Sequence, residues 1–259
     1  MRTLTRANTM KTLTRAVKMV TNKRRTIKAL EAAYGPIDVE GAKRVAAFPE
    51  LGLAYNRIKK SANTSTMILL NQISSGEIVK GNAAKTAARN LFELSADEIA
   101  DVKSMTLFVV IRNPYARVLS AFLGKMPRQS YQKKHGAFEM TPDGFGKFLH
   151  WLEGGGLTGD PHWDLQTKLM MLPLDRYDAV IRLESYNQSM RELIESCGLT
   201  VPEGALEDYY ATYRGHETNA RSKLAQFYTK ERVEIVRRLF SEDFRALGYS
   251  TEFPEPIGF

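Results

Sequence analysis

The strongest constraint in this sequence is the run Thr106-Leu107-Phe108-Val109-Val110-Ile111, followed at once by Arg112-Asn113-Pro114. Six uncharged residues rich in β-branched and aromatic side chains read as a strand buried on both faces, as in a parallel sheet covered by helices. Pro114 then stands where a helix begins, because its missing N–H costs nothing in the first turn, and Tyr115–Leu123 continues that helix. A buried strand turning directly into a helix is the repeating unit of an α/β fold. Ligand chemistry in such folds collects at the carboxyl ends of the strands.

The rest of the chain divides in the same way. Leu53–Ile58 reads as a short strand opening into a polar loop, Lys59 to Ser65. Thr66–Ile73 reads as an apolar helix stopped by Ser74-Ser75-Gly76. Ala84–Leu94 and Ala96–Met105 are expected to be helical, 124–141 to be an irregular basic excursion, and Pro142–Leu152 an amphipathic helix broken by Gly154-Gly155-Gly156. Asp178–Arg182 reads as a third buried strand, Glu184–Cys197 as the helix after it, and Lys230–Phe240 and Ser241–Leu247 as closing helices. The expected fold is α/β, a P-loop-like three-layer sandwich with a central parallel β-sheet flanked by helices. It occupies a single domain over 31–259, preceded by a basic, mobile arm over 1–30.

A formal net charge of +8 first suggests a nucleic acid as partner. Its distribution argues otherwise. Residues 1–28 carry nine basic side chains (Arg2, Arg6, Lys11, Arg15, Lys18, Lys23, Arg24, Arg25 and Lys28) and no acid. The remaining 28 bases face 29 acids over 29–259, a net charge of −1. The arm also repeats Thr3-Leu4-Thr5-Arg6-Ala7 as Thr12-Leu13-Thr14-Arg15-Ala16. It reads as a solvated arm, as a contact with anionic surfaces, or as a transit peptide; the lack of an apolar core excludes a secretory signal. The longest apolar run, Leu107–Ile111, is far too short to span a membrane. Cys197 is the sole cysteine, which excludes an intrachain disulfide and suits a reducing compartment.

Two loops carry the candidate chemistry. In Lys59-Lys60-Ser61-Ala62-Asn63-Thr64-Ser65-Thr66, small residues let the backbone curl so that N–H groups and a helix start face one point, which suits a phosphate or sulfate. Lysine and hydroxyl side chains add charge and hydrogen bonds to the same anion. A polar helix cap explains the same residues equally well. The Walker pattern Gly-x-x-x-x-Gly-Lys-[Ser/Thr] is absent, which argues against a nucleotide-dependent kinase on a related fold. In the second loop, Arg112 and Ser120 would form a guanidinium-plus-hydroxyl phosphate clamp, with Arg117 as the neighbouring base. An arginine that caps or pairs with a neighbouring helix is the plainer alternative.

Taken together, these segments resemble the PAPS-dependent sulfotransferase superfamily, in its carbohydrate, Golgi-type-like branch. The second loop matches that family's Arg-[Asp/Asn]-Pro-x-x-Arg-x-x-Ser-Ala-[Tyr/Phe] at Arg112, Asn113, Pro114, Arg117, Ser120, Ala121 and Phe122. The first matches Pro-Lys-x-Gly-x-[Ser/Thr] loosely: Lys60, Ala62 and Thr64 take the lysine, glycine and hydroxyl positions, and Lys59 replaces the proline. His162-Trp163-Asp164-Leu165-Gln166 and the segment from Phe227-Tyr228-Thr229 to Asp243-Phe244 and Leu247-Gly248-Tyr249 also resemble this branch, so the likeness spans about residues 51–250.

The resemblance implies transfer of the sulfuryl group of 3′-phosphoadenosine 5′-phosphosulfate (PAPS) to a saccharide or polysaccharide hydroxyl. Lys60 would stabilise the leaving phosphate. Backbone amides of Ala62–Thr66, with Ser61 and Asn63 in the same loop and the hydroxyls of Thr64, Ser65 and Thr66, would hold the 5′ end. Arg112 and Ser120 would hold the 3′-phosphate; Lys223 or Arg221, just before the last helices, would add a basic contact, with a solvated helix start as the plainer alternative. Family members use a histidine or a glutamate as general base. His162 is the first candidate, since a neutral imidazole suits proton abstraction near neutral pH; packed structure around Trp163 is its alternative role. Glu77, past the first helix, is the second candidate. Glu184 is expected to order the end of the sheet and His150 to sit on a helix face. Trp151, Trp163, Tyr131, Tyr209, Tyr210 and Tyr213 are weighed as a sugar-stacking wall against a place in the core. No His, Cys and carboxylate spacing suggests a metal. The competing class is a nucleic-acid-binding protein using the basic arm. Animal relatives carry an N-terminal membrane anchor; the expectation here is a soluble cytoplasmic enzyme of bacterial origin.

Overall fold

The computed structural model describes residues 23–79, 81–206 and 219–254. Most of the basic arm (1–22), Tyr209, Tyr210, Tyr213 and His216 lie outside the described residues.

Five strands form one sheet in the order β3-β1-β2-β4-β5: β1 Val45–Phe48, β2 Leu53–Asn56, β3 Arg89–Asn90, β4 Thr106–Ile111 and β5 Ala179–Arg182. β2, β4 and β5 run parallel, with Leu53 opposite Thr106 and Phe108 opposite Ala179. β1 is antiparallel to β2 and β3 to β1, so the sheet is mixed at one side around a parallel centre. β1 and β2 meet through a tight turn in which Gly52 adopts φ 63°, a left-handed conformation that glycine takes without a Cβ clash.

The period-two geometry of a strand explains the layers. Phe48, Leu53, Tyr55, Phe108, Val110 and Ile181 point to one face, where they pack on Met67, Leu70, Met190 and Ile194. Val45, Ala47, Ala54, Leu107, Val109 and Ile111 point to the other, against Leu30, Leu91, Ile99 and Met171. A third apolar cluster, around Phe122, Phe145, Phe148, Trp163, Phe227 and Val236, joins the helices beyond the sheet edge.

The helices used below are α1 Val39–Ala42, α2 Asn63–Ser75, α3 Gly81–Ala87, α4 Ala96–Ala100, α5 Pro114–Lys125, α6 Gln129–His135, α7 Pro142–Trp151, α8 Tyr186–Ser196, α9 Leu224–Phe227, α10 Lys230–Leu239 and α11 Ser241–Ala246. Residues 23–34 are also helical and bring Leu30 into the core. Asn113 caps α5, its Oδ1 accepting from Tyr115 N at 3.0 Å, with Pro114 in the first turn as its sequence requires.

Several expectations are revised. The segment read as helix over Ala84–Leu94 divides into α3, the short β3 and a 3-10 turn at Leu91–Glu93, where Asn90 and Glu93 form a capping box. Ala96–Met105 likewise splits into α4 and a 3-10 turn. The excursion over 124–141 contains α6. The third strand is an edge strand with Val180 exposed, so burial on both faces fails there.

Candidate active site

The carboxyl ends of β2 and β4 are neighbours, so the loops that follow them open at the same edge of the sheet. In the first loop, two residues other than glycine hold left-handed backbone: Lys60 at φ 69° and Ala62 at φ 50°. For an L residue that region costs about 1–2 kcal/mol, and such strain persists where the surroundings enforce it. Its local consequence is a helix that starts bare. Ala62 has no side chain with which to cap α2, and no side-chain cap bond is made there. Thr66 N closes the first bond of the helix on Ala62 O at 2.9 Å. The N–H groups of Asn63, Thr64 and Ser65 therefore precede the first intrahelical bond, at the positive end of a 13-residue helix.

The polar side chains of this loop split into two groups. Ser61, Ser65 and Thr66 are buried. Ser61 Oγ donates to Gln166 Oε1 at 3.2 Å, and Thr66 Oγ1 lies 3.2 Å from Ala62 O and 3.0 Å from Tyr186 Oη. Asn63 Oδ1 accepts from Arg57 Nε at 3.1 Å. Of the three hydroxyls expected on the anion, Thr66 is engaged inside the fold, Ser65 is buried and Thr64 is partly exposed. Lys59 and Lys60 are half-buried. Burial, together with Arg57, Lys85 and Arg44 nearby, brings the Lys59 ammonium down to about 8.

In the second loop, Arg112 stands at the end of β4 and its Nη1 donates to Lys60 O at 3.1 Å, which ties the two loops directly. Ser120 sits on the buried side of α5. Arg117 departs from the sequence reading. It is buried, and its guanidinium donates to three backbone carbonyls, Lys59 O at 3.0 Å, Asp164 O at 2.7 Å and Pro161 O at 3.3 Å. Burial lowers it to about 10, so it remains a cation at neutral pH. It braces the first loop against the 160s segment and is not spare for an anion.

The sequence singled out the segment of the group that joins these parts but not its role. Gln166 is fully buried. Its Oε1 accepts from Ser61 Oγ and from Arg112 N at 2.9 Å, while its Nε2 donates to Arg112 O at 2.8 Å. Asp243 on α11, also buried, accepts from Gln166 N at 2.9 Å, Thr167 N at 3.0 Å and Thr167 Oγ1 at 3.1 Å. The only signal in the sequence was their place inside the family-like segments His162–Gln166 and Asp243–Phe244, which gave neither residue a role. Glu184 takes its expected place at the sheet end, where Oε1 accepts from Asn113 N at 2.9 Å and Oε2 from Tyr249 Oη at 2.9 Å.

His162 lies beside the first loop, since Arg117 bridges Pro161 O to Lys59 O. Its Nδ1 forms a short hydrogen bond with Asp160 Oδ1 and lies 3.2 Å from Tyr131 Oη, and its backbone N donates to the same Asp160 oxygen at 2.9 Å. Burial pushes the imidazole down to about 4; the Asp160 carboxylate opposes this, and Lys125 and Lys59 add to it. The ring is thus neutral at physiological pH. With Nδ1–H donated to Asp160, Nε2 is left as the acceptor nitrogen.

The other candidates lie elsewhere. Glu77 is exposed beyond the far end of α2, about 20 Å along the helix from the loop at 1.5 Å per residue. The helix that starts at the site carries Glu77 away from it, which removes the geometric ground for this second base. Lys223 is exposed just before α9. His150 is on an exposed helix face near Glu153. Trp163 is fully buried, with Nε1 donating to Gly156 O at 3.0 Å, and it packs on Trp151, Phe148 and His135. Both tryptophans therefore belong to the helical core cluster rather than to a sugar-stacking wall.

No helix among the described residues is long and apolar enough to cross a membrane. A family model described as "Sulfotransferase family" matches residues 43–250. No curated protein and no solved structure matches the chain.

Proposed function

Because the chain belongs to the sulfotransferase family, we propose that it binds PAPS across its two loops and moves the sulfuryl group to a hydroxyl of a saccharide or polysaccharide. The observation that carries this reading is the single Gln166 side chain bonded to Ser61 in one loop and to Arg112 in the other. It ties the loop before α2 to the main chain of Arg112, whose guanidinium in turn donates to Lys60 O, which supports reading the two loops together.

The residues present fit such a donor. The start of α2 suits the 5′ end, with Lys60 beside it and Thr64 as the accessible hydroxyl. Arg112 and Ser120 take the 3′-phosphate, a contact that supplies binding more than rate. PAPS brings an activated sulfuryl group on a phosphate leaving group, so the protein's tasks are alignment and charge stabilisation. The S–O bond to the phosphate breaks as one to the acceptor oxygen forms, and the acceptor proton passes to His162 Nε2. Lys60 meets the charge that grows on the leaving phosphate, an interaction strongest in the transition state. Asp160 keeps the imidazole in the tautomer that can take the proton. With a single cysteine in the chain, we place the enzyme in a reducing cytoplasm.

The test is incubation with ³⁵S-labelled PAPS and a panel of glycans, alongside passage over immobilised adenosine 3′,5′-bisphosphate. Retention on the resin and label in one glycan class are expected. Neither retention nor transfer would remove the reading.

A further inference from the structure

We infer that Tyr131 is a positioning residue for the base: its hydroxyl donates to Asp160 and divides that carboxylate between itself and His162 Nδ1, which limits how strongly the carboxylate favours the imidazolium. This deepens the reading of His162 as base and rests on it. Two separate stretches of chain meet here. Tyr131 comes from α6, whereas Asp160 and His162 belong to the segment that Arg117 ties to the first loop. Tyr131 Oη lies 3.2 Å from His162 Nδ1 and is hydrogen-bonded to the Asp160 carboxylate.

The direction of each bond follows from the chemistry of the groups. A carboxylate is the strongest acceptor of the three, so Nδ1–H goes to Asp160. With that proton in place Nδ1 accepts nothing, and the phenol proton goes to Asp160 as well. Asp160 therefore takes three donors: His162 N, His162 Nδ1 and Tyr131 Oη. A carboxylate whose charge is shared among several donors favours a nearby cation less. The phenol thus acts on the base through Asp160.

Packing holds the hydroxyl in place. No residue of α6 is itself buried, yet its Tyr131 ring stands edge-on to His162, centroids 5.9 Å apart at 82°, and to Trp163 at 6.1 Å and 72°. Lys125 Nζ lies 5.0 Å from the centre of the same ring. These contacts belong to the ring, so Tyr131→Phe keeps them and removes only the hydroxyl. Among the described residues, the further charges that face His162 and Asp160 are Lys125 from α5, Lys59 from the first loop and Lys134 from α6. Arg128 faces Tyr131, and His135 lies near Asp160. The lysines and the arginine oppose an imidazolium, which leaves Asp160 as the group that favours it.

The experiment follows the His162 ring by proton NMR from about pH 8 down to about pH 4, its signal identified by its loss in His162→Gln. In the native protein the ring should begin to titrate only near the lower limit. In Tyr131→Phe its midpoint should rise by about 0.5–1 pH unit, because the undivided Asp160 charge then faces the imidazolium. In an Asp160→Asn background the same substitution should move the midpoint by less than about 0.2 pH unit. The acid limb of kcat/KM should move up with the ring in Tyr131→Phe, with kcat down about fivefold and adenosine bisphosphate affinity unchanged. An unmoved midpoint in Tyr131→Phe, or an equal rise in both Asp160 backgrounds, overturns the inference, since the hydroxyl would then be structural or act without Asp160. An acid limb that stays put while the midpoint moves would instead strike the reading of His162 as base.

Discussion

The two sides of the site are built in opposite ways. Where the two loops meet, buried polar groups are matched partner for partner: Gln166 and Asp243 satisfy Ser61, Arg112 and Thr167, and Arg117 satisfies three carbonyls. Around His162, Lys59 and Lys125 flank a neutral imidazole, and the carboxylate that faces them, Asp160, is already engaged by that ring. A satisfied network fixes geometry, whereas like charges held close and partly desolvated repel one another.

That contrast can be broken at defined points. The largest effect is expected from Lys60→Ala, which should lower turnover by about 10³ while leaving adenosine bisphosphate binding within a few fold if, as proposed, its charge acts on the leaving phosphate. Single-turnover kinetics separate the two. His162→Gln should cost about 10² in turnover, as expected for loss of a positioned base, without weakening the nucleotide site. Asp160→Asn should approach the same loss, because an amide can donate to Nδ1 and move the ring proton to Nε2.

The same histidine predicts a pH dependence. Its folded-state value, about 4, lies below the ordinary 6.5, so the neutral base persists as pH falls and the acid limb of kcat/KM should appear well below 6.5. In the unfolded chain the ring gains a proton near 6.5 while the folded protein refuses it until about 4. This group therefore favours unfolding progressively as pH drops through that window. Melting temperatures between pH 7 and 4 should fall less in His162→Gln than in the native protein.

Where the loops meet, Gln166→Leu strands Ser61 Oγ and the Arg112 amide in the interior and should destabilise the fold by about 3 kcal/mol, with nucleotide affinity lost in parallel if the two loops form the proposed site. A chemical denaturation curve reads the first and a nucleotide titration the second. The smallest effect is expected from Ala62→Gly. Glycine relieves the left-handed strain at φ 50° but adds freedom to the unfolded chain, so stability should change by no more than about 1 kcal/mol, in the favourable direction.

The same contrast decides what could be read before the structure. The run Thr106–Ile111 with Pro114 behind it announced β4 and α5 because burial on both faces and a proline N-terminus leave local marks. The first and second loops stood out because lysines, hydroxyls and an arginine beside helix starts also leave local marks. β1 and β3 did not: Val-Ala-Ala-Phe is short and does not alternate, and two residues of Arg-Asn become a strand only through pairing with Ala46 and Ala47. Nor could the sequence separate Arg112 from Arg117, two arginines five positions apart on one motif, since burial against the Lys59, Pro161 and Asp164 carbonyls is a tertiary fact. The cations that lie near the first loop and His162 come from residues 57–59, 85 and 125–128, far apart along the chain, and the near-neutral charge of 29–259 concealed their grouping.

The most direct measurement compares adenosine 3′,5′-bisphosphate with adenosine 5′-phosphate as ligands of the native protein and of Arg112→Ala. If the two loops form one donor site, the native protein prefers the bisphosphate by about 10- to 100-fold, the worth of charged hydrogen bonds to the 3′-phosphate. Arg112→Ala should then bind both nucleotides almost equally. Native protein that binds the two alike, or an Arg112→Ala variant that keeps the full preference, would contradict it.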